Sequence, residues 1–170
     1  MATTSNTGTV GPRRRAREIA LQILHAMDVS PELSADEAMR RTFEHVLDAQ
    51  GHVEEEDVVH GPAARGATFD RRLVETIVRG FEAHRAAIDE ALTTLSRNWR
   101  VERMAVVERN IIRLALYELK FHGDEVPVPV PVNVALDEAI ELAKRFGTAE
   151  GAAFVNGMLD RALTELDLRR

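Results

Sequence analysis

TFDRRLVETIVRGFEAHRAAIDEALTTL, residues 68–95, decides the fold. Its apolar residues Leu73, Val74, Ile77, Val78, Phe81, Ile88, Leu92 and Leu95 return mainly at three- and four-residue steps, which lays them along one face of an α-helix. The stripe is longer than an ordinary helix, so the spacing predicts either one long helix or two helices parted near residues 84–90. Toward the C-terminus, Met104, Ile111, Ile112, Ala115 and Leu119 mark a helix ending near His122, where Gly123-Asp124 stops it. VPVPVPV (126–132) reads as a rigid connector, because three prolines would remove three donors from a strand ladder. Leu136, Ile140, Ala143 and Phe146 mark the next helix, with Gly147 as its C-cap. Thr148 caps a last helix with Val155, Met158, Leu159, Ala162, Leu163 and Leu166 on its buried face.

Toward the N-terminus, residues 49–67 hold three Gly, one Pro and four consecutive acids, and read as a loop. Before it, Met39, Phe43, Val46 and Leu47 form a helical stripe, with Ser34 and Glu37 spaced as a capping box. Ser30-Pro31 separates that helix from a first one carrying Ala16, Ala20, Ile23, Leu24 and Met27. Gly11-Pro12 introduces the first helix, proline suiting its first position. Residues 1–12 are small, polar and without period, and read as a disordered tail. The expectation is an all-α domain over 13–170: six or seven helices, packed as one bundle or as two joined bundles, roughly 13–95 and 99–168.

A length of 170 residues suits one domain, and 45% hydrophobic with 29% charged residues is a globular balance. The absence of cysteine excludes disulfides, thiolate metal sites and cysteine nucleophiles. The opening residues lack the apolar core of a signal peptide, and no run of apolar residues is long enough to span a bilayer. A cytosolic, non-membrane protein is expected. P-loop, GxGxxG, GxSxG and HExxH patterns are missing, so the residues offer little toward an enzymatic reading. His52 and His60 bracket Glu54, Glu55, Glu56 and Asp57, but without EF-hand spacing. That segment reads as a solvated acidic loop, and neither a metal nor a cofactor is expected.

Net charge is −6, which discourages general nucleic-acid binding, yet Arg13, Arg14, Arg15 and Arg17 lie within five residues. A helix start is already the positive end of the dipole, so four cations there cost stability unless an anion uses them. Free N–H groups and guanidinium forks together suit phosphate, and a nucleic-acid backbone is the natural occupant. A solvated helix end is the competing reading. Phe154 falls about 110° from the centre of its helix's apolar stripe. It is either packed against a neighbouring helix or an exposed platform for a base. Glu108 lies inside an apolar stripe, which implies either an internal partner such as Arg109 or Arg113, or an exposed protein-binding groove.

WRVERMAVVERNIIRLALYELKF (99–121), VALDEAIELAKRFG (134–147) and FVNGMLDRAL (154–163) closely resemble the NusB family of transcription antitermination proteins. RRRAREIALQILHAMD (13–28) is similar to that family's arginine-rich first helix. The resemblance implies two small helical bundles and no enzymatic activity. It implies a NusE-type small-subunit ribosomal protein as partner and boxA-type single-stranded RNA as target. RNA polymerase and other Nus factors would join through that complex, supporting ribosomal RNA transcription in the bacterial cytoplasm. On this chain the implied RNA contacts fall on Arg13, Arg14, Arg15, Arg17 and Phe154, with Glu150 tuning affinity. The implied partner contacts fall on His25, often Tyr in relatives, and Glu108. Asn133 and Ala153 stand where relatives often carry a cation, shifting the weight of RNA binding to the N-terminal arginines and the partner. Two alternatives are a structural homodimer and the RNA-binding module of a ribosomal RNA methyltransferase; the latter expects a Gly-rich cofactor domain, which the sequence does not show.

Overall fold

The computed structural model describes residues 10–50, 68–122 and 130–168. Six α-helices occupy them: α1 (Pro12–Val29), α2 (Ala35–Gln50), α3 (Arg71–Leu95), α4 (Val106–Lys120), α5 (Val132–Phe146) and α6 (Ala149–Glu165). A short 3-10 turn, Val101–Arg103, precedes α4, and the described residues contain no strand. The long stripe resolves as one unbroken helix of 25 residues. The tail 1–9, the acidic loop 51–67 and most of the Val-Pro connector lie outside the described residues.

Local chemistry sets the helix starts. Asp70 accepts from the Leu73 N–H at 3.0 Å, while its own N–H donates to the Pro12 carbonyl at 3.2 Å, tying the starts of α1 and α3 together. Thr148 accepts from the Gly151 N–H at 2.9 Å, as its position predicts. Only half of the expected capping box forms at α2. Ser34 accepts from the Glu37 N–H, but the Glu37 carboxylate turns to Arg40 and Arg41. Gly147 follows α5, but its backbone is extended (φ −107°), not left-handed. Close approach is what it accommodates: a methyl group there would come within 2.8 Å of the Ala143 carbonyl and 3.0 Å of Glu108 Oε1.

α4 is the centre of the molecule, packed by α1, α3, α5 and α6. Asn110 through Glu118 are all buried, a nearly circumferential burial that its apolar content supports. The core is continuous across all six helices, from Ile19 and Ile23 through Ile77, Phe81, Leu92 and Ile111 to Leu142 and Leu159. Gly80 lets α3 approach α4 closely, with the buried Tyr117 ring lying where its side chain would be. A helix enclosed on so many sides must satisfy its polar residues internally. Asn110 and Arg113 do so with Asp28 and Asp89, and Glu118 with Arg17.

Candidate nucleic-acid and partner surfaces

The arginines at the start of α1 divide by helical position. Arg13 is exposed. Arg14 leaves 42% of its side chain accessible while donating to both oxygens of Glu138 on α5, the shortest contact being 2.9 Å. That hydrogen bonding holds the Arg14 guanidinium above its ordinary pKa. Arg15 donates to the buried Glu18 at 2.8 Å, and its buried Nε finds no acceptor. Arg145 of α5 approaches the other Glu18 oxygen at 2.6 Å, a Coulombic contact outside hydrogen-bonding direction.

Arg17 corrects the sequence expectation. Its side chain is 4% accessible and forks onto Glu118 through Nε and Nη2, at 3.0 and 2.8 Å. A phosphate cannot reach it while α1 and α4 are packed. The arginines of the cluster left open to solvent are therefore Arg13, Arg14 and the edge of Arg15, beside helix-start N–H groups with no acidic residue in the first turn.

Glu108 is 7% accessible, and neither arginine expected to pair with it does so. Arg109 donates to Asp28 at 2.7 Å and to the Val101 carbonyl at 3.1 Å. Arg113 engages Asp28 and Asp89. The Glu108 carboxylate instead lies over Gly147 and Gly151, at the junction of α5 and α6. Next to it, Val107 helps to line a cavity of about 200 Å³ with Glu18, Leu21, Gln22, His25 and the exposed Phe146. The fold thus brings His25 and the Glu108 segment to one side, while the carboxylate itself faces inward. Gly151→Ala would press a methyl onto that carboxylate and should cost about 1–3 kcal/mol. Gly157→Ala, in open space on the same helix, should instead stabilise by up to about 1 kcal/mol. Denaturant titration of both variants measures the difference, and equal effects would show that Glu108 moves freely.

Glu150 is exposed in the first turn of α6. Phe154, one turn on, is half-buried against the core and meets Trp99 edge-on, centroids 6.5 Å apart at 70°. Sequence reasoning passed over Trp99, although it is the only tryptophan and stands among Arg97, Arg100 and Arg103. Phe154 reaches Trp99 at the corner before α4, while Arg145, five residues before Glu150, reaches Glu18 beside Arg15. Arg13 and Asp28 are about 22 Å apart along α1, and Asp28 binds Arg109, whose neighbour Glu108 covers Gly151. Asn133 and Ala153, the two positions lacking the frequent cation, are both exposed.

Among the described residues no group of three or more metal-ligating side chains forms, and no helix is long and apolar enough to cross a membrane. Residues 14–164 match the family model described as the NusB family. The chain is 41% identical to the transcription antitermination protein NusB of Geobacter sulfurreducens, over 92% of this chain and 97% of the relative. The fold is similar to T. maritima NusB, with a TM-score of 0.67, 30% identity and coverage of 91% and 92%. It is also similar to a chain in a crystal structure of antitermination factors NusB and NusE in complex with dsRNA. There the TM-score is 0.63, identity is 20%, and coverage is 89% and 96%, a likeness of fold.

Proposed function

The chain belongs to the NusB family, and from that premise we propose that it is a transcription antitermination factor binding boxA-type nascent RNA with a NusE-type ribosomal protein. It works without enzymatic activity, in the bacterial cytoplasm, and reaches RNA polymerase and other Nus factors through the complex. The observation that carries the RNA half is the start of α1. Arg13 and Arg14 are reachable, the helix start has no side-chain cap, and no first-turn acid competes for its N–H groups. The partner half is supported by the apolar cavity beside His25 and Val107, which leaves Phe146 partly uncovered.

The salt dependence of RNA binding tests the reading. Each phosphate neutralised on a single strand contributes about −0.7 to the slope of log affinity against log salt. Removing Arg13 and Arg14 together, as Arg13→Ala with Arg14→Ala, should weaken boxA binding and flatten the slope by about 1.4. The fold should survive. Freeing Glu138 from a half-exposed pair costs no more than about 1 kcal/mol, which melting curves would register. Titrations at several salt concentrations, with and without the NusE-type protein, give the slope. An unchanged slope in the double variant would remove these arginines as the phosphate site.

A further inference from the structure

The corner between α3 and α4, at the far end of α1 from the arginine cluster, presents an exposed aromatic side chain beside two arginines. Trp99 is 64% accessible, the most exposed of the large apolar side chains described. Among the described residues no ring lies parallel to its indole and no guanidinium sits over it; Phe154 touches it only in the edge-to-face manner. Trp99, Arg100 and Arg103 line one open cleft of about 540 Å³. Arg97 and Arg161 nearby are engaged, with Glu165 and with the Leu95 carbonyl. Arg100 and Arg103 pair with no carboxylate among the described residues, although Glu102 shares the cleft.

The backbone of this corner is held before anything binds. The Trp99 N–H donates to the Ser96 carbonyl at 3.2 Å, and the Arg103 N–H to the Arg100 carbonyl at 2.9 Å. Arg109, anchored on Asp28, donates to the Val101 carbonyl. A fixed, exposed aromatic loses little conformational freedom on binding.

We infer that Trp99, with Arg100 and Arg103, is a stacking site for one unpaired base of a single-stranded RNA, the guanidinium groups taking the flanking phosphates. The chemistry favours RNA over a protein. Every nucleotide offers a flat ring beside an anion, which is the pattern of Trp99 between two unpaired cations. A protein anchor would want an enclosed apolar pocket, whereas this cleft is open and its indole stands beside the two arginines, with Thr93, Ser96 and Glu102 on the same lining. The site rests on the RNA reading above and extends it. Because it lies at the far end of α1 from Arg13 and Arg14, one strand reaching both would have to cross the molecule.

Trp99 is the only tryptophan, so its fluorescence reports on this site alone. The full chain is titrated with a short single-stranded RNA carrying boxA, with and without a tryptophan-free variant of the NusE-type protein. Stacking should quench the indole. Trp99→Ala should weaken binding about 5- to 150-fold, and Trp99→Phe should recover part of that. Arg100→Ala with Arg103→Ala should flatten the salt slope by about 1.4. Melting curves of the four proteins show whether any loss is one of fold, and the paired arginine variant answers if Trp99→Ala melts early. RNA binding that depends on Arg13 and Arg14 but leaves Trp99 unquenched and Trp99→Ala unaffected would overturn this site and keep the family reading. An indole that responds to the NusE-type protein and not to RNA would assign the cleft to protein and overturn it as well. Failure to bind boxA RNA even with the partner present would overturn both.

Discussion

Arg17→Ala should destabilise the isolated protein by about 3–5 kcal/mol, the cost of leaving a buried partner charge unmatched. The guanidinium and the Glu118 carboxylate are almost wholly closed to water, and both Nε and Nη2 donate across the α1–α4 contact. Removing the cation leaves the buried Glu118 carboxylate of the central helix without its compensating charge. The pair itself is not a large source of stability. Replacing both residues, as Arg17→Met with Glu118→Leu, should be near neutral or more stable by up to about 4 kcal/mol, because two desolvation costs disappear together. Urea unfolding of the single and double variants separates these outcomes. The RNA arm sets Arg17 apart from its neighbours: at a temperature where Arg17→Ala is folded, its salt slope should equal that of the parent chain. A single-variant loss under about 1 kcal/mol would mean that the guanidinium behaves as a surface group. A flattened slope would return Arg17 to the phosphate site.

That division within RRRAR shows where pattern reading succeeds and where it stops. Charge alone treats the four arginines alike. Helical position does not: Arg17 stands three residues before Ala20 and seven before Leu24, on the buried stripe, and that spacing was available in the sequence. The helices themselves were legible because each carries a long apolar period, and α3 is the clearest of them. The central place of α4 could be suspected from VVERNIIRLALYELK, whose apolar residues leave no consistently polar face. Its partners could not. Glu118 meets Arg17 across 101 residues of chain, and Asn110 meets Asp28 across 82. Glu108 stands out in the sequence as a carboxylate on an apolar stripe, but Arg109 and Arg113, its nearest candidate partners, are both committed elsewhere. What receives it is the room left by two glycines, a negative feature that residue chemistry does not announce. Trp99 escaped notice for a related reason. It lies between helices, where no period judges whether a side chain faces in or out.

Asp28→Ala should be comparably severe, at about 3–5 kcal/mol at neutral pH, and its effect should fade in acid. The Asp28 carboxylate gathers Arg109 at 2.7 Å, Arg113 at 3.0 Å and Asn110 Nδ2 at 3.1 Å, joining the end of α1 to the start of α4. Burial by itself would raise its pKa, but hydrogen bonds from Arg109 and Arg113, with their charge, outweigh burial and hold it below the ordinary carboxylate range. A group with a lowered folded pKa gives its full stabilisation above the unfolded value, about 3.9 for Asp, and loses it as pH falls through the folded value. The parent protein should therefore lose this contribution progressively below about pH 4, while Asp28→Ala, lacking it throughout, should show a shallower decline over the same window. Unfolding free energies of the two proteins between neutral pH and about pH 3 measure the convergence; parallel curves would defeat the assignment. The same change has a functional consequence. Arg109 also holds the Val101 carbonyl, so freeing it from Asp28 should loosen the turn that presents Trp99. Single-stranded RNA binding should then weaken in folded Asp28→Ala without any change in salt slope, because the cost is disorder in the stacking residue and no phosphate contact has been removed.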